Sequence, residues 1–371
     1  MMKKKYARRS GFVMVLTMLV VSLVVTLTTY IMYRTSMFMP YARTALRQQK
    51  ARLLATSGIQ LAISQLSQYE KPEQKDDDKK KPPVDDAYLA RQLLMRVVPH
   101  LNQWQRVPLI KEEDGIKGEI SFCIGSERGK IDINAVYDFE NHQFIDDKKE
   151  QTEDEKKKSW RQFFKDLFAN VQKTMGSSNL FESFEKFLKQ RQYKLDDVTE
   201  LLQAPGFEIF KNYIFYVPPT TATEGEKAWR PFFLADLFTV ASGQDKIDPW
   251  LFSDSVRAGL GLNRVVSEAP DKTESARKMM QEKVQNFSLS TDWKKEWDQV
   301  LASLYGKEYS TLTPCVASHL ATKFEPTIFS VVSYGTFEKV TQRLYALLER
   351  TILKQEEDVV IQVKIKKIYW L

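Results

Sequence analysis

The sequence predicts an α+β protein: a long N-terminal helix, a head built on an antiparallel sheet, and a large, mostly helical insertion. Three observations carry that reading. Phe12 to Tyr33 contains no charged side chain. Apolar residues then recur at three- and four-residue steps as far as Leu66, the pattern of a helix with one apolar stripe. Finally, stretches near 116–134 and 327–370 carry strand patterns and bracket a helix-patterned segment at 135–314. Sequence-distant strands commonly complete one sheet, so the segment between them projects as a second domain.

The charge-free run follows five basic residues, Lys3, Lys4, Lys5, Arg8 and Arg9, and ends at Arg34. At about 1.5 Å per residue such a helix just crosses a hydrocarbon core of about 30 Å. Positively charged flanks resist translocation, which predicts a single span with the N-terminus in the cytoplasm. A cleaved secretory signal would have a shorter apolar region followed by small residues, whereas this run closes on Tyr30, Ile31, Met32, Tyr33 and Arg34. A plain signal anchor fits the hydrophobicity.

Of the formal net charge of +7, five units lie in the leader, which leaves +2 for the rest. The basic balance is therefore a matter of topology, and no nucleic-acid partner is expected. The 371 residues can bury a sizeable core. Of the two cysteines, Cys123 and Cys315, an exported body would allow a long-range disulfide; two separate buried thiols is the other reading.

Beyond the span, Ala42, Ala45 or Leu46, Gln49, Leu53, Ala55 or Thr56, Ile59, Ala62 or Ile63 and Leu66 form the stripe, with Pro40 a kink point. Glu70 to Asp86 is dense in mixed charge and proline and reads as a linker. Helical character resumes at Tyr88 and stops at Pro99. Ile116 to Ile124 alternates as a half-buried strand, and Lys130 to Asn134 returns after a turn, which predicts a hairpin. Asp132 and Asn134 would hydrogen-bond a neighbouring turn.

After a charged run at Asp146 to Lys158, Trp160, Phe163, Phe164, Leu167, Phe168 and Val171 share one helix face. Leu180, Phe181, Phe184, Phe187 and Leu188 share another. Asp196 or Asp197 caps a further helix that Pro205-Gly206 ends. A helix is expected around Trp293, Trp297, Val300, Leu301 and Leu304. Strands return at Thr327 to Tyr334 and at Asp358 to Ile365, while Val340 to Leu348 fits strand or helix. His100, His142 and His319 are scattered, and no Gly-x-Ser-x-Gly elbow, phosphate-binding glycine loop or Cys-x-x-Cys pair occurs, so no enzyme is expected.

A basic leader ending in Gly11, then Phe12 and a long apolar helix, resembles the class III signal of type IV prepilins and type II secretion pseudopilins. In those families a prepilin peptidase cuts after the glycine and the new N-terminal phenylalanine is methylated, which implies cleavage between Gly11 and Phe12. Most members carry a glutamate where this chain has Leu16; the K-type (GspK-like) minor pseudopilin typically lacks it. Gly129-Lys130-Ile131-Asp132-Ile133-Asn134 is similar to a segment of that type closing a strand pair. Leu195 to Gly206 and Gly243 to Asp248 look like parts of its inserted domain. Two departures stand out: Asp248-Pro249-Trp250-Leu251 replaces the usual Asn-x-Asn-Thr-Ala, and no Asp-Trp-Ile-Asp precedes Tyr193.

The resemblance implies a pilin-like layout: leader 1–11, transmembrane and assembly helix 12–67, charged linker 68–87, head 88–134 and 315–371, and inserted α-helical domain 135–314. It implies a tip subunit of a secretion pseudopilus in the bacterial inner membrane, its body periplasmic. The other minor pseudopilins, the major pseudopilin and the prepilin peptidase would be its partners. No cofactor is required; some members bind Ca²⁺ in the insertion, for which Asp132, Asp245 and Asp248 are the candidates here. A minor pilin of a type IV pilus, or a single-pass anchored scaffold protein, are the alternatives.

Overall fold

The computed structural model describes residues 7–68, 89, 92–93, 96–97, 100–147, 152–177, 179–218, 232–262, 308–321, 326–355 and 358–371. The linker at 70–86, most of the 88–99 stretch and the helix expected around Trp293 lie outside the described residues.

Helix α1 runs without interruption from Ala7 to Ser67, 61 residues, through Pro40, a length of about 90 Å. Its last four turns lie on a five-stranded antiparallel sheet ordered β1 (Trp104–Leu109), β2 (Gly118–Ser126), β7 (Ile328–Phe337), β8 (Val340–Gln355) and β9 (Asp358–Trp370). The neighbours β2 and β7 flank the long insertion, so the α+β layout with an inserted, mostly helical region is present. Strand β1 is an addition that the alternation argument did not find. Its pattern is weak because Pro108 and Arg106 interrupt it at the sheet edge.

The buried face of α1 is Ala51, Leu54, Ala55, Ile59, Ala62 and Leu66. Leu53, placed on the stripe by spacing, is 67% exposed. A helix lying this close needs small residues on both surfaces. A Cβ on Gly335 of β7 would clash with the backbone of Ala51 and Ala55, and one on Gly58 of α1 would clash with Ser333. Above this seam, Arg350 of β8 donates from Nε to Leu66 O, 3.1 Å, satisfying a carbonyl at the end of the helix.

Two sequence expectations change and one open reading is settled. β2 is buried on both faces from Ile120 onwards, rather than alternating, because α1 covers one face and the insertion the other. The hairpin at 130–134 does not form. Both edges of β2 are occupied by β1 and β7, and β3 (Ile131–Asp132) pairs in parallel with β6 (Phe238–Thr239). Residues Ile133–Val136 then form a helical turn. The undecided stretch from Val340 is strand: β8 pairs with β7 along its first ten residues, which overrides the helical spacing of its leucines.

The insertion has an aromatic core. Helices Trp160–Met175 and Leu180–Lys189 bring Phe164, Phe168 and Phe184 against Phe207 and against Phe238 of β6, with ring centroids 4.9–6.3 Å apart. Two small strands, β4 (Tyr137–Asp138) and β5 (Gln143–Phe144), form a hairpin beside it. The expected helix after Asp197 is a short 3-10 helix, Val198–Gln203, opened by an Asp197–Glu200 capping box and followed by Gly206 at φ 85°. The charged run at Asp146 to Lys158 holds a helix, Glu153–Lys157, with its own capping box at Thr152 and Glu155.

Candidate functional site: the exposed helix and the buried hub

Among the described residues, the N-terminal part of α1 packs against no other element. Phe12 is 70% exposed and Leu16 51%, and large apolar side chains stay exposed through Met37, Phe38, Met39 and Tyr41. The threonine hydroxyls of this stretch are spent on the helix itself. Thr17 donates to Met14 O, 2.9 Å, Thr26 to Ser22 O, 2.8 Å, Thr28 to Val24 O, 2.7 Å, and Thr29 to Val25 O, 2.8 Å. Such back-bonding removes the cost of burying unpaired donors, so the segment can enter lipid or a bundle of apolar helices. It is the one helix long and apolar enough to cross a membrane among the described residues.

No acidic residue occurs before Glu70. The basic residues where α1 meets the head hold it there. Arg47 pairs with Glu338 in the β7–β8 turn, 2.6 Å, Lys50 lies over the Phe337 ring, 4.7 Å, and Arg52 over Trp370, 5.3 Å.

The second feature is a buried polar hub where the sheet meets the insertion. After β2 the chain turns through Glu127–Gly129. A side chain at Gly129 would collide with the carbonyl of Leu251, so only glycine lets the two backbones touch. Lys130, 1% exposed, pairs with Glu127 and donates to Ser330 Oγ of β7 at 2.9 Å. Glu127 accepts from the Thr239 hydroxyl of β6. Asp236 is fully buried; it accepts from Tyr216 OH and from Ser255 N, 2.7 Å. Burial, reinforced by Asp254, pushes its carboxyl up to about 7. Asp248 accepts from Trp250 N, 3.0 Å, and burial raises it likewise to about 7, against the pull of Arg128. The cavity beside the hub, lined by Glu127, Asp197, Thr239, Tyr345 and Tyr369, holds about 20 Å³, space for about one water.

The residues proposed from sequence separate. Asp132 spends its oxygens on the turn opposite, accepting from Ser242 Oγ, 2.9 Å, Gly243 N, 2.7 Å, and Asn134 N, 3.0 Å. Asn134 in turn exchanges two hydrogen bonds with the Leu195 backbone, both 2.8 Å. Asp248 is a buried cap, and Asp245 is exposed. Among the described residues there is no group of three or more His, Cys, Asp or Glu that could hold a metal ion, and the three aspartates do not come together as one. Cys123 and Cys315 are both buried, and no disulfide joins them. Cys123 is enclosed in β2, and Cys315 Sγ lies 3.3 Å from Asp166 Oδ2 in the insertion. Sequence reading did not find the Glu127–Lys130 pair; the dense polar run Ser126 to Lys130 carries no mark that it is buried.

No family model matches the chain, and no curated protein matches it. Among solved structures, the chain is similar to one from the GspK–GspI–GspJ complex of the type 2 secretion system of enterotoxigenic Escherichia coli, at 12% identity and a TM-score of 0.42, over 89% of this chain and 99% of that one.

Proposed function

We infer that this chain is a K-type minor pseudopilin: a non-enzymatic subunit that joins a type II secretion pseudopilus at its tip. One observation carries the reading. Helix α1 divides into an exposed, charge-free part that begins at the Gly11-Phe12 junction and a part from Ala51 onward that is buried on an antiparallel sheet. An anchor needs only the first part. An assembly helix that leaves the bilayer to pack with other helices needs both, and needs its hydroxyls internally satisfied.

In this reading the prepilin peptidase cuts between Gly11 and Phe12, and Phe12 becomes the methylated N-terminus. Leu16 sits where a charge-bearing subunit would pair the new amine of a neighbour, so this subunit has none beneath which it must match charge. The body lies on the periplasmic side of the inner membrane, and the other minor pseudopilins and the major pseudopilin are its partners. Its head comprises α1, β1, β2 and β7–β9, and the insertion between β2 and β7 is the bulk that blocks addition above it. N-terminal sequencing of the membrane-extracted protein tests this: a chain beginning at Phe12 is expected, and an intact leader overturns it. Replacing Gly11 with a bulky residue should stop maturation, whereas a plain anchor would be indifferent.

A further inference from the structure

Strand β9 is an edge, paired only with β8 among the described residues. It is long, 13 residues, and it is not blunted by proline or brevity. Its register partners on β8, Leu344, Ala346 and Leu348, are buried beneath α1, yet Ile365, Ile368 and Trp370 beside them remain 44–51% exposed. The reason is lateral: α1 lies chiefly over β7 and β8 and covers much less of β9, where Arg52 lies over the Trp370 ring.

Among the described residues the outer backbone edge of β9 has no strand partner either. Leu371 N donates to Arg343 O at 3.1 Å, so that pair is the hydrogen-bonded kind. In an antiparallel ladder the hydrogen-bonded and non-bonded pairs alternate, so Trp370 and Ile368 turn their N–H and C=O groups away from β8, toward the open edge.

The charge on the edge decides what can add there. Lys364, Lys366 and Lys367 are clustered in the exposed half, and Asp358 is the only acid of the strand. A second copy pairing antiparallel through this half would set lysines against lysines, which is unfavourable. A strand with carboxylates among apolar residues meets complementary charge and supplies the missing apolar cover.

We propose that β9 is an acceptor edge for an extended segment of a different protein, one that alternates apolar and acidic residues, added as a sixth strand. This does not depend on leader cleavage or on filament assembly, so its failure leaves the proposed function standing.

The test uses the full chain in detergent micelles and a blocked peptide alternating valine and glutamate, read by amide hydrogen exchange of the C-terminal fragment containing β9. Exchange there should slow at least about tenfold with this peptide, and not with a valine–lysine peptide. Ile368→Pro removes an outward donor without touching the β8 ladder and should abolish the protection. Lys364→Glu, which spares the contacts of Lys366 with Glu349 and of Lys367 with Asp196 O, should shift preference toward the lysine peptide. Lack of protection by the glutamate peptide, equal protection by both peptides, or concentration-dependent protection of the chain alone would each overturn the proposal, the last by identifying a second copy as the occupant.

Discussion

Lys130 illustrates how far a single residue's role depends on surroundings that spacing does not reveal. In the sequence it is one cation in a polar turn; in the fold it is among the largest fully buried side chains, held by Glu127 and Ser330. Taking a charge out of water is costly unless its partner stays, so Lys130→Met strands Glu127 and should destabilise by about 3–5 kcal/mol. Adding Glu127→Gln should recover part of that loss, which denaturant unfolding of the two variants would reveal. The neighbouring aspartate was easier to read. Asp132 was expected to serve a turn, and it does, through Ser242 and Gly243. Even so, the identity of that turn, more than a hundred residues away, was beyond any local pattern.

At the scale of elements, the helix–sheet seam is the most demanding contact. Gly335 sits under the α1 backbone with no space for a Cβ. Gly335→Val therefore forces the helix off the sheet and should cost about 1–3 kcal/mol or more by overpacking. Gly115→Ala has open space around it and should show only the cost of its φ of 70°, about 1–2 kcal/mol. Thermal melts of the two variants would separate crowding from backbone strain. Helices with strong one-sided patterns were legible: Trp160–Met175 and Leu180–Lys189 appear where Phe164, Phe168 and Phe184 recur. Strand partners were not. The segment at 131–132 was expected to fold back on β2, but that strand already has β1 and β7 on its two sides.

For the whole molecule, buried titrating groups predict how stability follows pH. Asp236 and Asp248 have folded values raised to about 7 by burial, so the stability they contribute is fully present below their unfolded value of 3.8 and is lost as pH rises to about 7. His319, stacked on Trp160 at 3.9 Å, works the other way. Burial lowers it to about 4, so its contribution is present above 6.5 and lost as pH falls toward 4. Between pH 7 and 6.5 the aspartates act nearly alone. The melting temperature should therefore rise on acidification from pH 8 to 6.5, and Asp236→Asn with Asp248→Asn should flatten that slope. Invariance of the melting temperature across this range would show that the two carboxyls are ionised in the folded protein.

The sequence by itself determined the features that depend on local order: the charge-free span after Gly11, the helical periods of the insertion, and the caps at Asp197 and Gly206. Each follows from residues within a turn or two of one another. Only the tertiary structure decided which strands are neighbours, that Val340–Gln355 is extended, that Cys123 and Cys315 stay apart, and that Lys130 is buried. These outcomes depend on which surfaces compete for the same edge or cavity, and that competition is between segments distant in the chain. The Gly11-Phe12 junction and the open edge of β9 belong to opposite sides of this division, the one written in adjacent residues and the other set by the place of β9 at the end of the strand order.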